Sequence, residues 1–211
     1  MCFSSPFLHK WKTQNSQPNS MWILIDNDDS FAFMLYDYLR RFHENTKLIH
    51  IHGGISSEEI IAMNPERLII SPGPGKPSEA KLSSELVAYF IDKIPILGVC
   101  LGHQILGTFL GAQCEASGQP LHGKTSQLKI LHEHFVFDGL DPSAIQVMHY
   151  HSLIVSNYQH TDLLPLAIDE HNFLMAFSHS KFPILGLQFH PESVLTPGGN
   201  RMIQNWCKHQ F

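Results

Sequence analysis

The segment Gly98 to Gln104 carries the residues best suited to chemistry in this sequence. Cys100 ends an apolar run, stands between Gly98 and Gly102, and precedes the apolar stretch Ile105 to Leu110. This order is typical of a nucleophile elbow, a tight strand-to-helix turn in which neighbouring backbone approaches too closely for large flanking side chains. Such a turn exposes the thiol, and the amides at the start of the helix favour its thiolate form. We therefore predict that Cys100 is a nucleophile.

A cysteine nucleophile usually needs a base, because a free thiol is mostly protonated at neutral pH. His190 is the best candidate, since it directly follows the apolar run Ile184 to Phe189, which predicts a second strand end. Glu192 is close enough along the chain to orient the imidazole and to stabilise its charged form. His103 is a rival base, although we expect it to face the protein interior or a neighbouring subunit.

The loop Ser71 to Gly75 also follows an apolar run, and it is rich in glycine and proline. Glycine lets backbone N–H groups approach a substrate closely. We predict that the N–H groups of Gly73 and Leu101 form an oxyanion hole. An ordinary Pro-Gly turn is the alternative, and a phosphate-binding loop is disfavoured because no Gly-Lys-Ser/Thr sequence follows.

Strands and helices alternate through the first half of the chain. Apolar runs predict four strands, at residues 22–25, 47–51, 67–70 and 94–99. Ser30 is expected to cap the first helix, and Ser56 with Glu59 to form a capping box for the second. This order predicts an α/β fold with an open, mostly parallel sheet, helices on both faces, and a site at the carboxyl ends of the strands.

The second half of the chain is richer in closely spaced strands, and we expect much of it to be antiparallel. The candidate strands lie at 127–131, 145–149, 163–169, 173–178 and 184–189, and a final helix is expected near 201–208. Residues 1–20 lack acidic residues and any apolar period, which predicts a flexible leader before a single domain at 21–211. An organelle-targeting peptide is the alternative for this leader.

Composition narrows the possible functions. The chain of 211 residues has a formal net charge of -5 and no dense basic stripe, so a nucleic-acid partner is not expected. No apolar run is long enough to cross a membrane, and the four scattered cysteines fit a cytoplasmic protein. The alternating pairs His50/His52, His132/His134 and His149/His151 lack a carboxylate or cysteine at a recurring ligand spacing. We therefore predict neither a metal site nor a cofactor.

Taken together, these motifs resemble the class I, triad-type glutamine amidotransferases, and closely resemble the small subunits of anthranilate synthase and aminodeoxychorismate synthase. The resemblance covers residues 22–208 and rests on six ordered motifs: Asp26–Phe31, Ser71–Gly75, Gly98–Gln104, His122–Ser126, Tyr150–Leu153 and Gln188–Ser193. It implies a flavodoxin-like fold. It also implies a catalytic triad of Cys100, His190 and Glu192, and an oxyanion hole formed by Gly73 and Leu101. The glutamine site that it implies consists of Gly73, Pro74, Gly75, Gln104, His151 and Ser152.

The resemblance also implies a reaction and a partner. A glutamyl thioester would form at Cys100, His190 would protonate the departing ammonia, and water would then hydrolyse the thioester. Family members of this size lack an acceptor site, so a separate chorismate-binding synthase subunit would receive the ammonia, in tryptophan biosynthesis, in folate biosynthesis, or in both. Asp28 stands where Tyr is usual and His149 where Arg is common, which leaves the identity of the partner and the coupling to it open.

Three other functions compete with this interpretation. A glutaminase for carbamoyl phosphate, guanine-nucleotide or imidazole glycerol phosphate synthesis is disfavoured by the motifs Asp26–Phe31 and Tyr150–Leu153. A thiol peptidase is disfavoured, because Gln104 and the Tyr150–Ser152 motif fit a small amino-acid substrate better than a peptide. A non-catalytic partner-binding module would not need the three residues of the triad, all of which are present.

Overall fold

The computed structural model describes residues 20–211, without the side chains of residues 119–121. The predicted leader therefore lies outside the described residues, apart from Ser20. The strands are Trp22–Asp26 (β1), Thr46–His50 (β2), Arg67–Ile70 (β3), Ile96–Val99 (β4), Gln113–Gln127 (β5), Lys129–Ile130 (β6), Gln146–Ser156 (β7), Leu163–Ile168 (β8), Leu174–His179 (β9) and Ile184–Leu187 (β10). The helices are Ala32–Arg40 (α1), Ser57–Ala62 (α2), Lys81–Phe90 (α3), Leu101–Phe109 (α4) and Gly199–Lys208 (α5).

Eight strands form one sheet, in the order β2-β1-β3-β4-β10-β9-β8-β6. The first five are parallel to one another, and β9, β8 and β6 extend the sheet in antiparallel fashion. The predicted α/β fold, with a mostly parallel sheet and an antiparallel extension in the C-terminal half, is confirmed. Strand β10 pairs directly with β4, so that Leu187 lies opposite Val99. A late segment of the chain therefore ends beside the strand that precedes Cys100.

Helices cover both faces of this sheet, because its strands are apolar on both sides. On one face, Leu24 packs with Leu35 of α1 and Trp206 of α5. On the other face, Ile23 packs in a cluster with residues of α2, α3 and α4. Among the described residues, no helix is long and apolar enough to span a membrane.

Strands β5 and β7 form a separate, two-stranded antiparallel sheet. The candidate strand at 127–131 contains β6 and only the last residue of β5, and the candidate at 145–149 covers only the start of β7. The extent of this two-stranded sheet was therefore not predicted. Gly118 and Gly123 lie within β5 with φ of 73° and 67°, and the pairing register shifts in that region. Glycines with positive φ are typical of turns and bulges, which is why the sequence pattern concealed one long, irregular strand.

The two predicted helix caps had different outcomes. The capping box is confirmed, since Ser56 accepts from the N–H of Glu59 at 3.2 Å and Glu59 accepts from the N–H of Ser56 at 2.8 Å. The predicted cap by Ser30 is wrong, because α1 follows Phe31 and no side chain caps it. The Asp29 carboxylate instead accepts from the N–H of Phe31 at 2.8 Å and turns the chain into the helix.

Candidate active site

Cys100 occupies a strained turn between β4 and α4. Its φ of 52° and ψ of -101° lie in a region that non-glycine residues rarely adopt. A Cβ added at Gly98 would lie 2.5 Å from the Gly102 backbone carbon, and one added at Gly102 would lie 2.3 Å from the Ile70 carbonyl oxygen. The Cys100 N–H donates to the Leu187 carbonyl of β10 at 2.8 Å. The structure therefore has the elbow geometry, and both flanking glycines are sterically required.

His190 and Glu192 form a buried pair just beyond β10. His190 Nδ1 donates to Glu192 Oε1 at 2.6 Å, and the two side chains are 1% and 0% exposed. Burial disfavours a charged ring, but the neighbouring Cys100 and Glu192 outweigh this effect and raise the pKa of His190 to about 10. The contact with Cys100 does not meet strict hydrogen-bond geometry, since Nε2 has no hydrogen-bond partner among the described residues. Nε2 is therefore the atom left to exchange a proton with the sulfur.

The loop that carries His190 is fastened to β7. The His190 N–H donates to the Met148 carbonyl at 3.0 Å. Thr196 Oγ1 donates to the His190 carbonyl at 2.8 Å and accepts from the Met148 N–H at 3.0 Å. The two-stranded sheet thus holds the imidazole in place, a link between distant segments that the sequence pattern did not reveal.

A cavity of about 520 Å³ opens at Cys100. Every predicted glutamine-binding residue lines it: Gly73, Pro74, Gly75, Gln104, His151 and Ser152. The lining also includes residues that were not selected as site residues, although they belong to or adjoin the quoted motifs: Asp28, Asp29, Ser30, His122, Tyr150 and Leu153. The sequence therefore located the cavity correctly but underestimated its extent.

Leu101, the second residue predicted for the oxyanion hole, is not among the lining side chains of the cavity. It is the first residue of α4, where backbone N–H groups have no acceptor within the helix. Its side chain packs beneath Gly73, where an added Cβ would lie 2.7 Å from Leu101 Cδ2. The two predicted oxyanion residues are therefore in contact.

Three predicted binding side chains are engaged with other protein groups. Gln104 Nε2 donates to the Leu153 carbonyl at 3.1 Å and to Gln188 Oε1 at 3.2 Å. His151 uses both ring nitrogens, with Nδ1 2.9 Å from the Leu153 carbonyl oxygen. The Ser152 hydroxyl lies 2.9 Å from His122 Nε2. These side chains therefore hold the cavity wall in place, and they also line the cavity.

His103, the rival base, is fully buried beside Phe177, with ring centroids 4.6 Å apart. Burial lowers the pKa of His103 to about 3, so the ring is neutral at physiological pH. A Cβ added at Gly186 of β10 would lie 2.9 Å from its Nδ1. His103 therefore faces the protein interior, as expected, and does not approach the cavity.

Asp28, one of the two departures from the family pattern, lies at the cavity and has a φ of 69°. Asp26 Oδ1 accepts from the N–H groups of Asp28 and Asp29 and so fixes this turn. His50 Nδ1 accepts from the His52 N–H, which places the ring proton on Nε2, 3.3 Å from Asp28 Oδ1. Within residues 20–211, no group of three or more His, Cys, Asp or Glu side chains is arranged to hold a metal ion.

Residues 23–210 match the family described as glutamine amidotransferase class-I. The chain belongs to the class-I glutamine amidotransferases. The bifunctional protein TrpGD of Thermotoga maritima is 40% identical over 89% of this amidotransferase, which spans only 32% of that longer protein. The aminodeoxychorismate/anthranilate synthase component 2 of Bacillus subtilis is 38% identical over 89% of this chain and 96% of its own length.

The solved structure of a Thermoplasma acidophilum protein, provisionally named as part of a GMP synthase, shares the fold of this amidotransferase. It aligns with a TM-score of 0.76 and 27% identity, over 89% of this chain and 92% of that one. The family resemblance drawn from the six motifs is therefore confirmed, and so is the homology to component 2 of the anthranilate and aminodeoxychorismate synthases.

Proposed function

We propose that this amidotransferase hydrolyses the side-chain amide of L-glutamine to glutamate and ammonia through a Cys100–His190–Glu192 triad. The observation that carries the proposal is the pairing of β4 with β10, which puts the strained Cys100 turn and the buried His190–Glu192 pair at adjacent strand ends. Cys100 lines a cavity large enough for an amino acid, whereas His190 and Glu192 are screened from solvent behind it.

Before the reaction, the Cys100 proton already lies on His190 Nε2, because the raised pKa of His190 keeps the ring charged at neutral pH. In the first half of the reaction, the Cys100 thiolate attacks the amide carbon. The N–H groups of Gly73 and Leu101 donate to the oxygen of the tetrahedral intermediate. His190 returns the proton to the departing nitrogen, so that the C–N bond breaks, ammonia leaves and a glutamyl thioester remains. Glu192 stabilises the imidazolium until it gives up this proton.

In the second half, His190 takes a proton from a water molecule, which attacks the thioester carbon. The C–S bond breaks as glutamate forms, and His190 keeps the proton, which restores the thiolate and the imidazolium. Proton transfers therefore balance over one turnover, and no cofactor is required.

The ammonia is proposed to pass to a separate, chorismate-binding synthase subunit. The name of the Bacillus subtilis relative supports this partner, and that relative matches the present chain over 96% of its length. Tryptophan and folate biosynthesis both remain candidates because that name covers both synthases. The guanine-nucleotide alternative has weaker support, since the Thermoplasma structure is only 27% identical. We further propose that residues 21–211 work as one domain in the cytoplasm, where the free cysteines Cys100, Cys114 and Cys207 would stay reduced.

The test uses the full chain assembled with a chorismate-binding subunit, supplied with either glutamine or an ammonium salt. We expect the wild-type complex to aminate chorismate with both nitrogen sources, and the Cys100→Ala complex to do so only with ammonium. Cys114→Ala, a change outside the cavity, is the matched control and should retain both activities. Loss of both activities in Cys100→Ala, or retention of both, contradicts the proposal. Comparing glutamine-dependent activity with an anthranilate-forming and with an aminodeoxychorismate-forming synthase subunit distinguishes the two pathways.

A further inference from the structure

A line of buried polar side chains runs through the two-stranded sheet to the cavity wall. Ser126 Oγ lies 2.6 Å from His149 Nε2, and His149 Nδ1 lies 3.2 Å from His151 Nε2. The line ends at the Leu153 carbonyl, 2.9 Å from His151 Nδ1. His149 is 1% exposed and His151 is 4% exposed, so water does not compete for these contacts.

The carbonyl at one end fixes every proton in this line as long as both rings are neutral. A carbonyl can only accept, so His151 must carry a proton on Nδ1. Because burial keeps the His151 ring neutral, its Nε2 is bare. His149 must then donate from Nδ1, which leaves its Nε2 to accept from the Ser126 hydroxyl. Two neutral rings therefore both hold the Nδ1–H tautomer, an assignment that follows from the partners together with the neutrality of the rings.

The electrostatic surroundings agree with neutral rings. Burial, reinforced by the neighbouring His149, lowers the pKa of His151 to about 3. Burial likewise lowers the pKa of His149 to about 4, against the opposing effect of Glu170. The charge of His190 also lowers the pKa of both rings.

The Leu153 carbonyl is where this line meets the helix that follows the nucleophile. It accepts from His151 Nδ1 and also from Gln104 Nε2 of α4, at 3.1 Å. Leu153, His151 and Gln104 all line the cavity. Strand β7 is thereby tied to α4 at one carbonyl oxygen, and the His151 ring is held at the same oxygen.

We propose that His149 is a positioning residue for substrate binding: its Nδ1–H holds the His151 ring so that His151 and Gln104 together fix the Leu153 wall of the cavity. The effect on glutamine rests on the proposed function, whereas the proton arrangement does not. His149 contacts neither the cavity nor Cys100 directly. Disturbing it should therefore weaken binding more than it slows the chemical step.

The proton arrangement is tested by two-bond ¹⁵N–¹H correlation spectra of the full chain labelled with ¹⁵N-histidine, at pH 7. The signals of His149 and His151 are identified from the variants His149→Asn and His151→Asn. We expect both rings to be neutral with the proton on Nδ1. A proton on Nε2 of either ring, or a charged ring, overturns the proposal.

The positioning role is tested by two variants of similar size that keep different halves of the contact. His149→Asn keeps a donor near the δ position, facing His151, and should leave the KM for glutamine within about 2-fold of wild type. His149→Gln keeps an acceptor near the ε position, facing Ser126, but loses the donor, and should raise the KM about 10-fold with kcat changed less than about 3-fold. Equal KM values in the two variants, or an effect confined to kcat, contradict the positioning role.

These measurements separate the two proposals. If the wild-type chain with its synthase subunit shows no glutaminase activity, the proposed function fails, while the spectra still report the tautomers. If the wild type is active and the spectra show Nε2–H rings, only the role of His149 fails. Thermal unfolding of both variants identifies a KM change that is caused by partial unfolding. In that case Ser126→Ala, which removes only the far end of the line, provides the second comparison. The KM of Ser126→Ala should stay below that of His149→Gln, and an equally high KM contradicts the proposal.

Discussion

The two ends of the central sheet both hold a buried or half-buried charged group, but they use it differently. At the carboxyl end, Cys100 is strained, and His190 Nε2 has no hydrogen-bond partner among the described residues. At the amino end, the Arg67 guanidinium donates to the carbonyls of Trp206 and His209 at 2.7 and 2.8 Å. It also stacks over aromatic rings, with centroid distances of 4.7, 5.0 and 4.9 Å to Trp22, Trp206 and Phe211.

This difference separates reactivity from stability within one fold. At the carboxyl end, the strained backbone of Cys100 and the unpartnered Nε2 of His190 are tolerated because they serve chemistry. The Arg67 cluster instead fastens the end of α5 and the C-terminus to the first residue of β3, far along the strands from the cavity. Substitutions at the carboxyl end should therefore reduce activity more than stability, and substitutions at the amino end should do the reverse.

The largest expected effect is that of Cys100→Ala, which removes the nucleophile. Glutamine-dependent kcat/KM should fall by at least about 10⁴-fold, as is usual for a lost covalent nucleophile. The free energy of unfolding, measured with urea, should stay within about 1 kcal/mol of wild type, because alanine keeps the turn and leaves little empty space. A loss of several kcal/mol would show that this thiol is a structural group, and the comparison between the two ends would break.

The next largest effect is expected from Arg67→Ala at the opposite end. It removes two charge-assisted hydrogen bonds and the contacts with three rings, and should lower the free energy of unfolding by about 3 kcal/mol. Arg67→Lys, which keeps the charge but not the planar fork, should lie between wild type and alanine. Arg201→Ala, which removes an exposed side chain bonded to Gln204, is the control and should change stability by less than about 0.5 kcal/mol. Glutaminase activity well below the unfolding temperature should be unaffected in all three, and reduced activity in Arg67→Ala would contradict the comparison.

Glu192→Gln removes the negative charge beside His190 but keeps the size and shape of the side chain. Gln can still accept from His190 Nδ1, so the ring keeps its orientation, but the imidazolium loses its compensating charge. We expect kcat to fall about 100-fold, equivalent to about 2.7 kcal/mol of transition-state stabilisation. The free energy of unfolding at pH 7 should also fall, but only in part, because Cys100 as well as Glu192 supports the charge on His190. Unchanged kcat would mean that the carboxylate only orients the ring.

The smallest expected effect is in the pH dependence of stability. The raised pKa of His190 means that the folded protein retains a proton that the unfolded chain releases. Its stabilising contribution is complete below about pH 6.5 and is lost as pH rises towards about 10, with a slope of at most about 1.4 kcal/mol per pH unit. Urea unfolding at pH 7, 8 and 9 should show a shallower decline in Glu192→Gln than in wild type. Parallel declines would mean that Glu192 does not support the charge on His190.

Local sequence patterns predicted the parts of the molecule that depend on neighbouring residues. The bounds of β3 matched the apolar run at 67–70, and the Ser56–Glu59 capping box formed as expected because its partners are three residues apart. The elbow was also recognisable, since the need for Gly98 and Gly102 arises from the geometry of a short turn.

Features that depend on distant pairing were not predictable in the same way. The length of β5 was missed because its glycines are typical of turns, and only pairing with β7 makes the segment a strand. The hydrogen bonds between Ser126 and Leu153, and the hydrogen bond from Arg67 to His209, join segments that only the folded topology brings together. The Ser30 cap failed for a more local reason, because Asp29 satisfies the same backbone region first.

The most direct test of the triad uses a glutamine analogue in which a diazoketone replaces the amide, so that a nucleophile placed at the amide carbon is alkylated. Peptide mass mapping of the full chain with its synthase subunit should find the adduct on Cys100 alone, and labelling should slow sharply in His190→Ala. An adduct on Cys2, Cys114 or Cys207 in place of Cys100, or labelling of Cys100 at an unchanged rate without His190, would contradict the account.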